Sequence, residues 1–321
     1  KPQAKLISLG MIASPVPGLL SDDSADLEKV AFAIKKLFES SKISQNEVIG
    51  ALPESKVFTR VVDDLPYLSD SELPSAIRYA SEEFIPMPLS DVNLYWQILF
   101  RTKENKGRTV VFVVASPKNV VNKYIKVFNM AGLRLKVLET EIIAATRSLV
   151  GNNPYSPTTM IIQFGAATTD FAVISKGLIL LTRSISTGGT AFTRAIAQTF
   201  NFEPLQAEEY KKVYGLLSDQ LEGKVFQSIR PIINVIMDET KRVIQAYHAK
   251  NPQNKIKRVV ITGGGAKLPG IVIYLANNLG LEVQEADPWY FIAKDKSTSA
   301  KLIQEGPMYA VAAGLALREN E

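Results

Sequence analysis

Residues 259–270 read VVITGGGAKLPG, an apolar run, three consecutive glycines, then a lysine and a proline. The spacing predicts a strand that turns sharply into a helix, and the glycines admit two readings. They make only the tight turn, or they line a bound nucleotide. Two familiar phosphate motifs are excluded at once. No G-x-x-x-x-G-K-[ST] occurs in the chain, and Leu268 stands where G-x-G-x-x-G needs its third glycine.

Composition narrows the chemistry. The 321 residues are enough for about two domains. A hydrophobic content of 46% with 21% charged residues is that of an ordinary globular protein. Without cysteine, disulfides, zinc–thiolate centres and thiol catalysis are excluded, and the single histidine, His248 in QAYHAK, excludes His-cluster metal sites. It reads as a structural residue on a helix. The net charge of +5 and pI near 9.1 mark a mildly basic surface, densest in NKIKR (254–258). That is too dispersed for nucleic acid, though it suits an anionic membrane surface. No apolar run approaches the ~20 residues of a membrane span. The sequence lacks an initiator Met and reaches the strand-like KLISLGMIA by its fifth residue, so an upstream segment is expected.

Along the chain, periodicity predicts a strand over 5–13, a helix over 25–40, short strands at 47–52 and in VFTRVVDDL, and a helix opened by the capping box SDSE at Ser69 and Glu72. Strands NLYWQILF (93–100) and TVVFVVAS (109–116) complete a strand–helix–strand–strand module over 56–115. A helix over 116–132 and the strand LRLKVLE follow, then the linker GNNPYSPT (151–158). Beyond it come three strands with tight turns at AATT and SKG, a helix opened by paired glycines, a mostly helical stretch over 203–250 broken at Pro231, and a closing helix over 306–317. Strands alternating with helices in both halves predict an α/β fold of two sheet-centred domains.

Four further features bear on the glycines. GAATTD (165–170) is a turn of small residues whose backbone N–H groups, with the Thr168 and Thr169 hydroxyls, suit an anion. In STGGTAFTRAI, Gly188 and Gly189 start a helix whose N-terminus favours phosphate. In AEEYKKVYG, Glu208 and Lys211 share a helix face. A carboxylate there accepts from ribose hydroxyls, and a lysine stem flanks a base. GPMYAVAAGLALR (306–318) is a helix of small residues. Each has a bland reading on its own, as hairpin turn, cap, surface pair or core helix.

In this order the motifs resemble the actin-like ATPase superfamily. More closely, the chain resembles the PilM family of type IV pilus assembly proteins, relatives of FtsA, through ALPESKVFTRVVDDLP, AIRYASEEFIPMPLSDVNLYWQIL, VVASPKNVVNKYIKVFNMAGL and ITGGGAKLPGI. The resemblance implies an actin-like, FtsA-like α/β fold of two RNase H-like domains around a nucleotide cleft. Residues 1–55 and 116–157 would form the first domain, with 56–115 as an inserted subdomain. Residues 158–202 and 251–305 would form the second, with 203–250 as its helical lobe and 306–321 as the closing helix. It implies ATP or ADP held at the phosphates by Gly165, Ala166, Ala167, Thr168, Thr169, Gly188 and Gly189, at ribose and base by Glu208 and Lys211, and at the adenosine by Gly263, Gly264, Gly265 and Lys267. Mg2+ would be carried by the phosphates. It implies an adaptor at the cytoplasmic face of the inner membrane, binding the N-terminal cytoplasmic segment of PilN and other pilus inner-membrane and motor components, with membrane association through the partner.

Two departures weaken catalysis. Gln163 stands where the family has a metal-organising aspartate, and the phosphate-1 loop does not occur within these 321 residues. Asp170 is the remaining candidate for positioning a water. Holding ATP with slow or no hydrolysis is the expectation, and an actin-like ATPase whose turnover is its function, filament-forming or kinase-like, is the alternative.

Overall fold

The computed structural model describes residues 4–15, 18–104, 107–151, 153–293 and 299–318. They fall into two units, 1–141 with 291–294, and 142–290 with 295–321.

In the first unit, β1 (Ala4–Lys5) pairs in parallel with β12 (Ile292–Ala293). The strand expected over 5–13 is not formed. Residues 6–15 are irregular, and Ile7 and Met11 lie exposed, so the alternation there has no sheet to bury it. Helix α1 (Ser24–Ser40) is started by Asp23, whose carboxylate accepts from the Ala25 and Asp26 amides. It packs Leu27, Val30 and Ala31 against Val127, Ala131 and Leu133 of the α3 (Lys118–Met130) region. Strands β2 (Glu47–Leu52) and β6 (Arg134–Thr140) form a parallel pair.

The run over 56–115 forms β3 (Phe58–Leu65), α2 (Leu73–Glu82), β4 (Val92–Thr102) and β5 (Arg108–Pro117), an antiparallel sheet of order β3–β5–β4. One face packs Val62, Val111 and Val113 on Leu73 and Ile77 of α2. The expected capping box is half made. Glu72 accepts from the Ser69 amide at 2.9 Å, but the Ser69 hydroxyl donates to the same carboxylate, so α2 starts only at Leu73. Of the turn expected between β4 and β5, Asn105 and Lys106 lie outside the described residues.

The second unit opens with α4 (Glu141–Leu149) and is built on β7 (Thr159–Phe164), β8 (Thr169–Ser175), β9 (Leu178–Ile185), β10 (Arg258–Thr262) and β11 (Glu282–Glu285). Their order is β11–β10–β7–β8–β9. β7, β10 and β11 are parallel, and β8 and β9 antiparallel to their neighbours. Every residue of β7 and β8 is buried, which explains their near-continuous apolar sequences. On one face Met160, Ile162, Phe171 and Val173 meet α5 (Gly189–Phe200), α6 (Pro204–Tyr214) and α7 (Lys224–Lys250) through Phe192, Ile196, Ala207, Ile229, Ile233 and Ile236. Helix α8 (Ile271–Leu279) links β10 to β11, which it joins to the core through Ile271 and Leu275.

One expectation is corrected here and another refined. Pro231 does not break its helix. α7 runs unbroken through it for 27 residues, because Pro231 lies on the exposed side while Ile229 and Ile233 anchor the buried one. The closing helix does start at 306, but its first turn, Gly306–Tyr309, is a 3-10 helix that runs directly into α10 (Ala310–Ala316). A Cβ on Gly314 would fall on the Ala144 carbonyl of α4, the close helix approach that small residues permit. No helix among the described residues is long and apolar enough to cross a membrane.

Candidate functional site

Three glycine-bearing turns meet at the end of β7, where Phe164 gives way to Gly165. The first is the 165–168 turn itself, closed by the Gly165 amide donating to the Thr168 carbonyl at 2.9 Å, with Ala166 and Ala167 exposed at its tip. The second is the start of α5. A Cβ on Gly188 would sit 2.7 Å from the Gly165 carbonyl and 2.8 Å from that of Ala166, so no side chain fits. The Gly189 amide donates to the Gly165 carbonyl (2.9 Å) and that of Thr190 to Ala166 (2.8 Å). Two of the helix-start amides expected to meet a phosphate are therefore engaged in bracing the neighbouring turn. An anion here would meet the α5 dipole across that turn, not those two groups.

The third turn is the triple glycine. Gly263 has φ +81°, and its Cβ would fall on the Phe164 carbonyl oxygen; a Cβ on Gly265 would lie 2.6 Å from the Phe164 Cβ. The middle residue differs, since a Cβ on Gly264 would meet no atom within 4 Å. So Phe164 of the adjacent strand excludes side chains at both positions, through its backbone at 263 and its Cβ at 265, while open space lies over Gly264. Lys267 follows on the same turn and pairs with Glu285 at 3.2 Å.

Beside the α5 start, α6 presents Glu208 and Lys211 as an ion pair of 2.6 Å. Thr193 of α5 joins them, its hydroxyl donating to Glu208 Oε2 at 2.6 Å, while Lys211 Nζ donates to Thr193 Oγ1 (3.0 Å) and the Gly189 carbonyl (3.2 Å). Burial pushes the Glu208 carboxyl up, but the hydrogen bonds from Lys211 and Thr193 outweigh it and hold it below the ordinary glutamate value. Lys211, 14% exposed, is thus tied to the α5 start rather than extended into solvent.

Under the turns lies a polar row that the strand register assembles. Thr262, Gln163, Asp170 and Ser184 are consecutive cross-strand partners on β10, β7, β8 and β9. Asp170 is 1% exposed. Its carboxylate accepts from the Ser184 hydroxyl at 2.5 Å and that of Thr168 at 3.2 Å. Burial dominates these bonds and raises its pKa above the ordinary aspartate value. Thr262 donates to the Pro307 carbonyl at 2.7 Å.

Of the residues singled out in the sequence, Gly165 to Thr169, Gly188, Gly189, Glu208, Lys211, Gly263 and Gly265 come together through these contacts, with Gly264 open and Lys267 directed to β11. Thr193, Ser184 and Thr262 were missed. Thr193 and Thr262 lie inside STGGTAFTRAI and VVITGGGAKLPG, where the glycines drew the reading, and Ser184 lies in no motif. The exposed small residues and the space over Gly264 fit a phosphate-bearing ligand approached by backbone. For a cation the donor set is poor, since no three His, Asp or Glu side chains group to hold a metal among the described residues. Phosphate oxygens would have to supply most of its ligands.

A family model described as type IV pilus assembly protein PilM matches residues 7–320. Among curated proteins, the cell division protein FtsA of Neisseria meningitidis serogroup B is 23% identical over 273 residues, 77% of this chain and 59% of that protein. FtsA of Bacillus subtilis is 21% identical over 212 residues, 60% and 48% respectively. The chain therefore spans about half of these relatives' length. Among solved structures, a PilM–PilN type IV pilus biogenesis complex aligns with TM-score 0.82 and 28% identity, covering 95% of this chain and 89% of that one. MreB5 of Spiroplasma citri bound to AMPPNP aligns with TM-score 0.52 and 18% identity, covering 90% and 74%, a likeness of fold alone. The fold is thus the mixed α/β fold shared by PilM and the actin-like proteins.

Proposed function

The chain belongs to the family of the type IV pilus assembly protein PilM, and from that premise we propose that it is an ATP-binding adaptor of the pilus assembly complex. The observation that carries the reading is the convergence of three glycine turns on Phe164–Gly165 beside the Glu208–Thr193–Lys211 cluster. Residues 165–169 and the α5 start at Gly188–Gly189 take the phosphates, Glu208 and Lys211 the ribose and base, and Gly263 to Gly265 with Lys267 the adenosine. Magnesium is carried by the phosphates. Asp170 is the carboxylate assigned to orient a water, yet it is buried and held by Ser184 and Thr168. With Gln163 beside it, the nucleotide is held rather than turned over, and works as a conformational ligand.

The partner is the N-terminal cytoplasmic segment of a PilN-type protein, which places the adaptor at the cytoplasmic face of the inner membrane. A solved PilM–PilN complex of the same fold and family supports this assignment.

Titration calorimetry with ATP and ADP tests the site. Lys211→Ala is expected to weaken binding about tenfold, equivalent to ~1.4 kcal/mol. Multiple-turnover phosphate release well above the Lys211→Ala background would overturn the holding role. Titration with a PilN N-terminal peptide, with and without ATP, tests the adaptor role, which absence of binding in both states would remove.

A further inference from the structure

The opposite end of the five-stranded sheet carries a different chemistry. β7 and β10 start there at Thr159 and Arg258, and β8 ends there at Ser175, ~17 Å of strand away from the glycine turns. The segment 254–258, NKIKR, crosses this end and is pinned rather than loose. The Asn254 side chain accepts from the Thr158 hydroxyl at 2.7 Å and donates to Ser175 Oγ (2.8 Å) and the Tyr247 hydroxyl (3.0 Å). The Lys257 amide donates to the Thr158 carbonyl at 2.9 Å, and the Ile256 amide to His248 Nε2 at 3.1 Å.

That knot fixes Lys255 and Lys257 beside Lys176 of the β8–β9 turn, all three exposed. Lys250 ends α7 just before this segment and Arg258 closes it, and Glu282, the cross-strand partner of Arg258, is the acidic side chain nearest in register. No Asp or Glu occurs from Thr240 to Leu281, so nothing in that stretch offsets the charge. The loop entering β7 adds Tyr155, 92% exposed. Burial, and after it the neighbouring Lys255 charge, hold His248 below its ordinary pKa.

We propose that this end of the second unit, carrying Lys176, Lys255 and Lys257 with Tyr155, is a docking face for anionic phospholipid headgroups. Exposed lysines on a braced backbone, with an exposed tyrosine, match the aromatic and basic pattern of membrane–water interfaces. A single-stranded nucleic acid would ask for several stacking aromatics along a charged groove, and one tyrosine on an edge of turns does not supply it. The face adds a lipid contact to the attachment that a protein partner provides, and it needs no nucleotide.

Vesicle co-sedimentation of the whole chain tests this, using phosphatidylcholine alone or mixed with phosphatidylglycerol. Binding is expected only with phosphatidylglycerol and should weaken as salt rises. Each lysine is worth about fivefold in apparent affinity, so Lys176→Glu/Lys255→Glu/Lys257→Glu should lose roughly a hundredfold or more. Lys35→Glu/Lys126→Glu/Lys241→Glu, with the same charge change at exposed positions elsewhere, should bind nearly as the parent does. If the glutamate variant melts early, the Gln counterparts at the same three positions read the same loss. Equal binding to phosphatidylcholine, equal loss in both triple variants, or displacement by polyglutamate at matched ionic strength would each overturn the proposal. The last would identify an acidic polypeptide instead.

Discussion

The two larger sheets of this protein are built to different rules. In the second unit β7 and β8 are buried along their whole length, with helices packed on them. In the first unit the β3–β5–β4 sheet packs one face on α2, and its β4 edge leaves Tyr95 66% and Ile98 40% exposed. A strand with one open face relaxes toward solvent when altered, whereas one enclosed on both faces passes every change to its neighbours. The glycine turns belong to the enclosed sheet, which is why they admit so little.

The sharpest way to break that contrast is at the triple glycine. Gly263→Ala combines a left-handed φ with a collision on the Phe164 carbonyl, and should cost about 3 kcal/mol or more in chemical denaturation. Gly264→Ala, one residue on, meets open space and should cost less than about 0.5 kcal/mol of stability. Comparable losses at both positions would mean the strand does not set the requirement. Next in size, Ile162→Ala in β7 should cost about 3 kcal/mol and Ile98→Ala in β4 under about 0.5 kcal/mol by urea melts. Equal values would erase the difference between the sheets.

A smaller effect is expected in α7, which covers the enclosed sheet. Pro231→Ala restores an amide to an exposed position in mid-helix and should stabilise by about 1 kcal/mol, read as a raised Tm. The smallest change concerns Asp170. Because burial raises its folded pKa, its relative stabilisation is full below the unfolded carboxylate value and is lost as pH rises through the folded one. Asp170→Asn should therefore gain stability over the parent as pH rises above about 4, the unfolded aspartate value, and an unchanged difference across that rise would remove the burial argument.

The strands of the second unit were legible because covered strands are near-continuous apolar runs punctuated by Gly, Thr and Ser turns. The turn at 165–168 and the α5 start at Gly188–Gly189 were legible for the same reason, since glycine marks close backbone approach. The strand expected over 5–13 failed because alternation predicts a face to be buried, not a partner to bury it. Pro231 misled because the proline rule ignores the side of the helix on which it falls. The row Thr262–Gln163–Asp170–Ser184 was only partly legible. Residues far apart in the chain become neighbours through register alone, and a lone Ser or Thr in a strand has no local signature. Asn254 was hidden likewise, its three partners lying 7, 79 and 96 positions away.

The crowding of Gly265 against Phe164 has an evolutionary consequence. Their conflict lies at the Cβ atom of Phe164, which every residue but glycine possesses, so trimming the phenylalanine ring would relieve nothing. A side chain enters at 265 only if the glycine turn moves off β7 or if 164 becomes glycine, and the second route empties a filled place in the core. Each step alone carries a cost, so substitutions at the two positions should be coupled in descendants of this chain.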